Sequence, residues 1–329
     1  MKFGIYRHEN SIGNSAEHVY ALSFYLLNNS INPSKIEVYV QHPWQKDFVC
    51  CIEGIKEENV KFFSKPVSVE DREEYSDIHM PCVYGGPNGF LKTFDSNWDY
   101  LNKQDVKRST LRFDSSKYNN KFELPSDSIV LFCREKSGWH NKNDRKEQEE
   151  HRFVKNFSVF HKLTAHYSNL GFKVVRIGDR YQQPLPGTYK KFKYGANYYD
   201  ENVIDFTKYL SKSAAPLWTL KDYLYVIQNC KLFISCDAGI WPMAGAMKKN
   251  MVFCNVAPFR SDGSDIEFDK NPNGDLIYKV KKPRYSLWLP EDTTRVIVKK
   301  VVKKFKKPTI LSDTPIEVIV KNARELANV

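Results

Sequence analysis

The sequence predicts an α/β protein built from two doubly wound, Rossmann-like domains, and three observations carry that expectation. Short apolar runs alternate with amphipathic segments along most of the chain, the pattern of strands and helices stacked in turn. One such unit is spelled out in full over residues 232–255, LFISCDAGIWPMAGAMKKNMVFCN. At 329 residues the chain is also long enough for two domains that each bury a core.

In residues 232–255, Leu232-Phe233-Ile234 reads as a buried strand and Asp237-Ala238-Gly239 as a tight turn. Residues 243–247 read as a small-residue helix, and Met251-Val252-Phe253 as a second strand. Such βαβ units build open parallel sheets, in which ligands bind at the carboxyl ends of the strands. Asp237 and the free amides at the helix start suit a hydroxyl-rich or phosphorylated ligand. The alternative is a turn that merely packs helix on sheet.

From the start of the chain, residues 2–6 predict a strand, 7–14 a polar loop, and the following residues to about Asn28 a helix. Val19, Leu22, Phe24, Leu26 and Leu27 give that helix its buried face. Residues 35–40 and 60–63 predict two further strands with a short helix between them. Over 77–121 the pattern weakens, and Gly85-Gly86-Pro87-Asn88-Gly89 must be a turn or loop. Pro125-Ser126-Asp127 marks the expected boundary, giving domains 1–125 and 126–329. Strands then follow at 129–133, 173–177 and 203–206, with helices at 151–170 and 220–229. Residues 315–327 predict a closing helix.

Composition is globular, with 41% hydrophobic and 27% charged residues. No apolar run approaches the ~18 residues of a membrane span. The start, MKFGIYRHENSIG, lacks the apolar segment of a secretory signal. Seven cysteines form no CxxC pair. Cys51, Cys133, Cys230, Cys236 and Cys254 lie in or beside strand-like runs, as reduced core residues of a cytoplasmic protein do. The net charge of +11 is local: residues 279–307 hold eleven Lys or Arg against Glu291 and Asp292, a surplus of +9.

Three more segments of the second half bear on chemistry. Arg134 follows the strand at 129–133, where a guanidinium can grip a diphosphate bidentately or pair with a carboxylate. Arg176-Ile177-Gly178-Asp179 places Arg, Gly and Asp at the next strand end. Asp205 stands at the third, able to accept from a sugar hydroxyl or to cap a helix. His140, Lys142, Arg145 and Arg152 fit a basic loop over phosphates, or a plain exposed one.

With Arg152 and Asn156, Ile204-Asp205-Phe206 and the Asp237-Ala238-Gly239 turn, these segments resemble a family of bacterial surface-polysaccharide glycosyltransferases. The resemblance covers roughly residues 129–256 plus Ile12-Gly13. The turn itself resembles the donor-site turn of heptosyltransferase-like GT-B enzymes, and the Arg at the first strand is similar to that of the fucosyltransferase-like branch. Phe206 replaces a Tyr of the pattern, and Asp237-Ala238 a small hydroxyl residue. The resemblance implies a GT-B fold whose last helix crosses back onto the first domain. It implies a donor site of Arg134, Arg176, Gly178, Asp179, Asp205, Asp237, Ala238 and Gly239. It also implies an acceptor-side loop of Asn10, Ser11, Ile12, Gly13 and Asn14. In related inverting enzymes an acid of this loop deprotonates the acceptor. Asn14 is nearest that position and cannot act as a base, which leaves Glu9 and His8 as candidates, or a solvated loop with no base. Arg134 completes the expected catalytic set.

No Asp-x-Asp occurs, so no metal site and no cofactor are expected. Val298, Val301, Val302 and Phe305 fall at helical spacing among lysines, predicting a cationic amphipathic helix. Such a helix within 296–307 either packs on the core or rests on an anionic membrane beside a lipid-linked acceptor. The reading is therefore a metal-independent glycosyltransferase moving a sugar from a nucleotide-sugar, with a GDP- or UDP-sugar expected, to a hydroxyl of a glycan. The rivals are a catalytically inactive sugar- or nucleotide-binding homologue and a nucleic-acid-binding protein. The last is disfavoured because the basic residues concentrate in one late segment instead of lining a groove. A nicotinamide enzyme is weaker still, since no GxGxxG follows any strand.

Overall fold

The computed structural model describes residues 1–5, 12–65, 77–79, 107, 109–118, 124–132, 158–177, 202–205, 220–236, 240–256, 266–270, 276–280, 292–298, 301–302, 309–310 and 314–329. Two parallel sheets dominate. The first comprises β1 (Lys2–Ile5), β2 (Glu37–Val40), β3 (Val60–Phe62) and β4 (Ile78–His79), in the order β3-β2-β1-β4. All its pairings are parallel. Two helices return the chain between strands: α1 (Ile12–Asn28) and α2 (Pro43–Val49).

The second sheet comprises β5 (Ile129–Phe132), β6 (Val174–Ile177), β7 (Val203–Asp205), β8 (Leu232–Cys236), β9 (Met251–Val256) and β12 (Thr294–Val298). Its order is β12-β9-β8-β5-β6-β7, again parallel throughout. Its helices are α3 (Ser158–Asn169), α4 (Leu220–Asn229), α5 (Trp241–Ala246) and α6 (Ile316–Ala327). Two antiparallel hairpins complete the described elements: β10 (Ile266–Lys270) with β11 (Leu276–Val280), and β13 (Val301–Val302) with β14 (Thr309–Ile310). This is the α/β architecture the alternating pattern predicts.

The central strands are buried on both faces, which is why they read as unbroken apolar runs. β5, β6 and β8 carry only buried residues. Helix α3 presents Phe160, Leu163 and Tyr167 at helical spacing, each without exposed surface. Helix α4 is different: Asp222 to Ile227 are buried all the way round, because it packs against both α2 and α5. Helix α6 starts behind Pro315 and ends at Asn328, whose φ of 55° is the left-handed cap that closes helices. It packs on β9, β12 and α3.

Three readings of the sequence need correction. Leu27 was expected on the buried face of α1, but it is exposed at 41% while Leu22, Phe24 and Leu26 are buried. It sits one residue, about 100° of helical turn, beyond the buried Leu26. The cationic helix does not form where residues 296–307 are described. Thr294–Val298 instead pairs in parallel with β9, and Val301–Val302 pairs antiparallel with Thr309–Ile310. Thr294, Val296, Ile297, Val298, Val301 and Val302 are all β-branched, stiff in a helix and suited to a sheet, and an available sheet edge decides between the two periods. Where it is described, this segment presents no amphipathic helix to a membrane. No helix among the described residues is long and apolar enough to cross a membrane. The hairpin at 266–280, finally, was not anticipated from the sequence. Its signal was present, an Asn273-Gly274 turn between two runs of alternating pattern.

The sheets share an interface. Helix α1 packs against α5, and α2 against α4. Ala244, Gly245 and Ala246 keep α5 slim enough for that approach. Residues 107–118 bind both sides. Asn28 exchanges two side-chain hydrogen bonds with the Lys107 backbone, at 2.8 and 3.0 Å. Arg112 N–H donates to the Cys51 carbonyl, and Leu111 N–H to that of Ala246. Phe113 N–H reaches the Gln228 side chain at 3.0 Å. Leu111 has no exposed surface, and the buried apolar residues of both halves form one cluster.

Candidate functional site

Parallel open sheets bind ligands outside the carboxyl ends of their strands, where the strand order reverses. In the second sheet the chain runs outward from β5 to β6 and β7. It then returns to the other side of β5 with β8, β9 and β12. The reversal lies between β5 and β8. In the first sheet it lies between β1 and β4, since β2 and β3 extend one way and β4 the other.

The expected site residues cluster at these strand ends in the chain. β5 ends at Phe132, two residues before Arg134. β6 ends at Ile177, before Gly178 and Asp179. β7 ends on Asp205, and β8 ends at Cys236, before Asp237, Ala238 and Gly239. β1 ends at Ile5, ahead of His8, Glu9, Asn10 and Ser11. Arg134, Gly178, Asp179, Asp237, Ala238, Gly239, His8, Glu9, Asn10 and Ser11 themselves lie outside the described residues. So do Arg152, Asn156 and Phe206. Ile12, Gly13 and Asn14 open α1, with Ile12 exposed and Gly13 partly so.

Helices α1 and α5, each the first after one of these strand ends, pack on one another. That contact relates the β1 end of the first sheet to the β8 end of the second.

Arg176 is the donor-site candidate whose side chain the structure describes. It occupies the third of the four β6 positions and has no exposed surface. Its backbone lies in register between Leu131 of β5 and Asp205 of β7, and its side chain is not without a partner. A guanidinium fully withdrawn from water is stable only with compensating partners. The Arg176 side chain is therefore part of the sheet interior and not an exposed hydrogen-bonding head.

Cys236, the last residue of β8, is fully buried and stands in register with Cys254 of β9. Cys254 Sγ donates to the Ser235 carbonyl at 2.9 Å. Cys51 and Cys230 are buried as expected, and Cys133 lies outside the described residues. Burial pushes the Cys230 thiol up to about 12, so this thiol stays protonated and unreactive. Among the described residues no three His, Cys, Asp or Glu side chains gather as a metal site requires.

The sequence reading passed over one corner at the carboxyl edge of the first sheet. After β2 the chain turns through Gln41 and His42 into α2, with Pro43 at its first position. Gln45, which has no exposed surface, reaches back: its Oε1 accepts from the Gln41 and His42 amides at 2.8 and 2.9 Å. Its Nε2 donates to Ser15 Oγ of α1 at 3.1 Å. The signal was a Pro at the first helical position and a Gln two residues on, a helix start with its own capping group.

No protein-family model and no curated protein matches the sequence. Solved structures do. The E. coli ADP-heptose LPS heptosyltransferase II matches over 100% of this chain and 99% of its own, with a TM-score of 0.57 and 11% identity. The E. coli heptosyltransferase WaaC with ADP matches over 99% and 100%, at a TM-score of 0.47 and 9% identity. The dodecameric iron-containing glycosyltransferase TibC of enterotoxigenic E. coli matches over 77% and 61%, at 0.41 and 14%. The two lower scores carry no argument. At 11% identity heptosyltransferase II shares the fold, and the chain has the GT-B architecture of two Rossmann-like halves that this heptosyltransferase displays.

Proposed function

We propose that the chain is a glycosyltransferase that moves a sugar from a nucleotide-sugar donor to a hydroxyl of a glycan acceptor. One observation carries the reading. The reversal of strand order in the second sheet falls between β5 and β8, the two strands followed by Arg134 and by Asp237-Ala238-Gly239. A diphosphate leaving group develops negative charge as the bond to its sugar breaks. Arg134, the buried Arg176 and the amides beside Asp237 supply the opposite charge without reorganisation. Gly178, Asp179, Asp205, Ala238 and Gly239 shape the nucleotide and sugar pocket.

The acceptor meets the donor from the first half. In the inverting form of the reaction, Glu9 or His8 takes the proton of the acceptor hydroxyl. The acceptor oxygen then bonds to the anomeric carbon as the diphosphate leaves. Asn10, Ser11, Ile12, Gly13 and Asn14 frame that approach. The scheme requires no metal and no cofactor. A GDP- or UDP-sugar is the donor, and the ADP-heptose in the name of the heptosyltransferase it resembles in fold adds ADP-sugars to the compounds worth testing. The acceptor is a free or lipid-linked glycan.

The test follows release of nucleoside diphosphate from UDP-, GDP- and ADP-sugars, with methyl glycosides as acceptors. One donor class should turn over. Arg134→Ala should lower the rate about 100-fold or more with an unchanged circular dichroism spectrum. Glu9→Gln or His8→Gln should abolish whichever base operates. An Arg134→Ala protein as active as the wild type would contradict the donor assignment.

A further inference from the structure

We propose that the corner formed by Gln41, His42, Pro43 and Trp44 is a sugar-binding platform that receives a pyranose ring of the acceptor. It deepens the glycosyltransferase reading and rests on it.

The corner lies at the right edge of the right sheet. It follows the carboxyl end of β2, which is paired in parallel with β1 through Ile5↔Val40. The residues after β1 begin the loop assigned to the acceptor side. Helix α2, which the corner opens, packs on α1 and on α4 of the other half, with Asp47 paired to Lys221 across it.

Its chemistry suits a sugar. The His42 and Trp44 rings stack almost parallel, 5.6 Å apart with 5° between planes. Phe48 meets Trp44 edge-on at 6.0 Å from below, and Phe48 is fully buried. The two upper rings are only partly buried. A pyranose offers apolar C–H faces rimmed by hydroxyls, and an aromatic body with a polar tip matches both parts.

The corner is also held rigid. Gln45 satisfies both amides of the turn and ties them to Ser15 in the first turns of α1. A buried polar side chain that fixes a turn carrying partly open aromatic rings is an arrangement that preorganises a surface for binding. Trp44 packs against the core with one side and stays partly exposed with His42 on the other.

The test uses the indole N–H resonances of the six tryptophans, with Trp44 identified by the peak missing from Trp44→Phe. The probes are the methyl α- and β-glycosides of glucose, galactose, mannose and N-acetylglucosamine. At least one should shift the Trp44 peak while leaving that of the buried Trp241 in place, and His42→Ala should weaken the response. A Trp44 peak unmoved by every glycoside, or a response equal in His42→Ala, would overturn the platform. Nucleotide binding, measured separately by thermal shift, distinguishes the two failures. Nucleotide binding without a glycoside response sinks the platform alone. A glycoside response without nucleotide binding keeps the corner as a sugar site but overturns both its role for an acceptor and the glycosyltransferase reading.

Discussion

Gln45 makes three hydrogen bonds from a fully buried position, two of them accepted from the backbone amides of Gln41 and His42. Truncation to Ala strands those groups, and a buried donor left unsatisfied costs about 1–3 kcal/mol. Gln45→Ala should therefore lower the urea midpoint by a corresponding amount, while an equally drastic change at exposed Leu27 should leave it nearly unmoved. His166 supplies a pH dependence. Burial, followed by the nearby Arg324, holds its imidazole below the usual 6.5. Between that lowered value and 6.5 the unfolded chain binds more protons than the folded one, so stability falls as pH falls through the window. His166→Gln should flatten that part of a stability–pH curve. At this scale the sequence was legible for chemistry and less so for environment. Arg176 was readable as a cation beside a strand end, but its complete burial depends on β5 and β7, which flank it from distant parts of the chain.

Among the elements, the segment at 107–118 shows why pattern alone gives out. Among its described residues the one regular element is a 3-10 turn at Ser115–Lys117. Its order comes from partners on both halves: Asn28 and Cys51 on one side, Ala246 and Gln228 on the other. Leu111 is its apolar anchor. Leu111→Ala should cost about 2–5 kcal/mol as a cavity at the shared interface, read by equilibrium unfolding. The Asp47–Lys221 pair, 3.5 Å apart, crosses from α2 to α4. Burial pushes the Asp47 carboxyl up and Lys221 pulls it down, so the pair contributes little net stability. The lysine-rich stretch makes a second case. Its apolar residues fit a helix by spacing and a strand by branching, and the free edge beside β9 resolves the ambiguity. The ¹³Cα shifts of Val296, Ile297 and Val301 should fall on the strand side of random coil. Helical shifts there would contradict the edge strand.

For the whole molecule, the alternation of strand and helix was readable for the central strands of both sheets, because strands buried on both faces must be apolar runs, and it failed at the 266–280 hairpin and the edge strand at 294–298. Sheet order was not readable, since no local property of β8 states that it returns to the far side of β5. That return puts the reversal of strand order between β5 and β8, and α1 packed on α5 relates the strand ends of one half to those of the other. The account stands or falls on a nucleotide entering beside β5 and β8. The most direct measurement is a thermal-shift panel of UDP, GDP, ADP, CMP and their sugar conjugates, on the wild type and on Arg134→Ala. A ligand at about 100 times its dissociation constant adds about 2.7 kcal/mol, which moves the midpoint by several degrees. One nucleotide class should stand out and lose its effect in the variant. No shift with any nucleotide, or the same shift in both proteins, would contradict the crevice as the donor site.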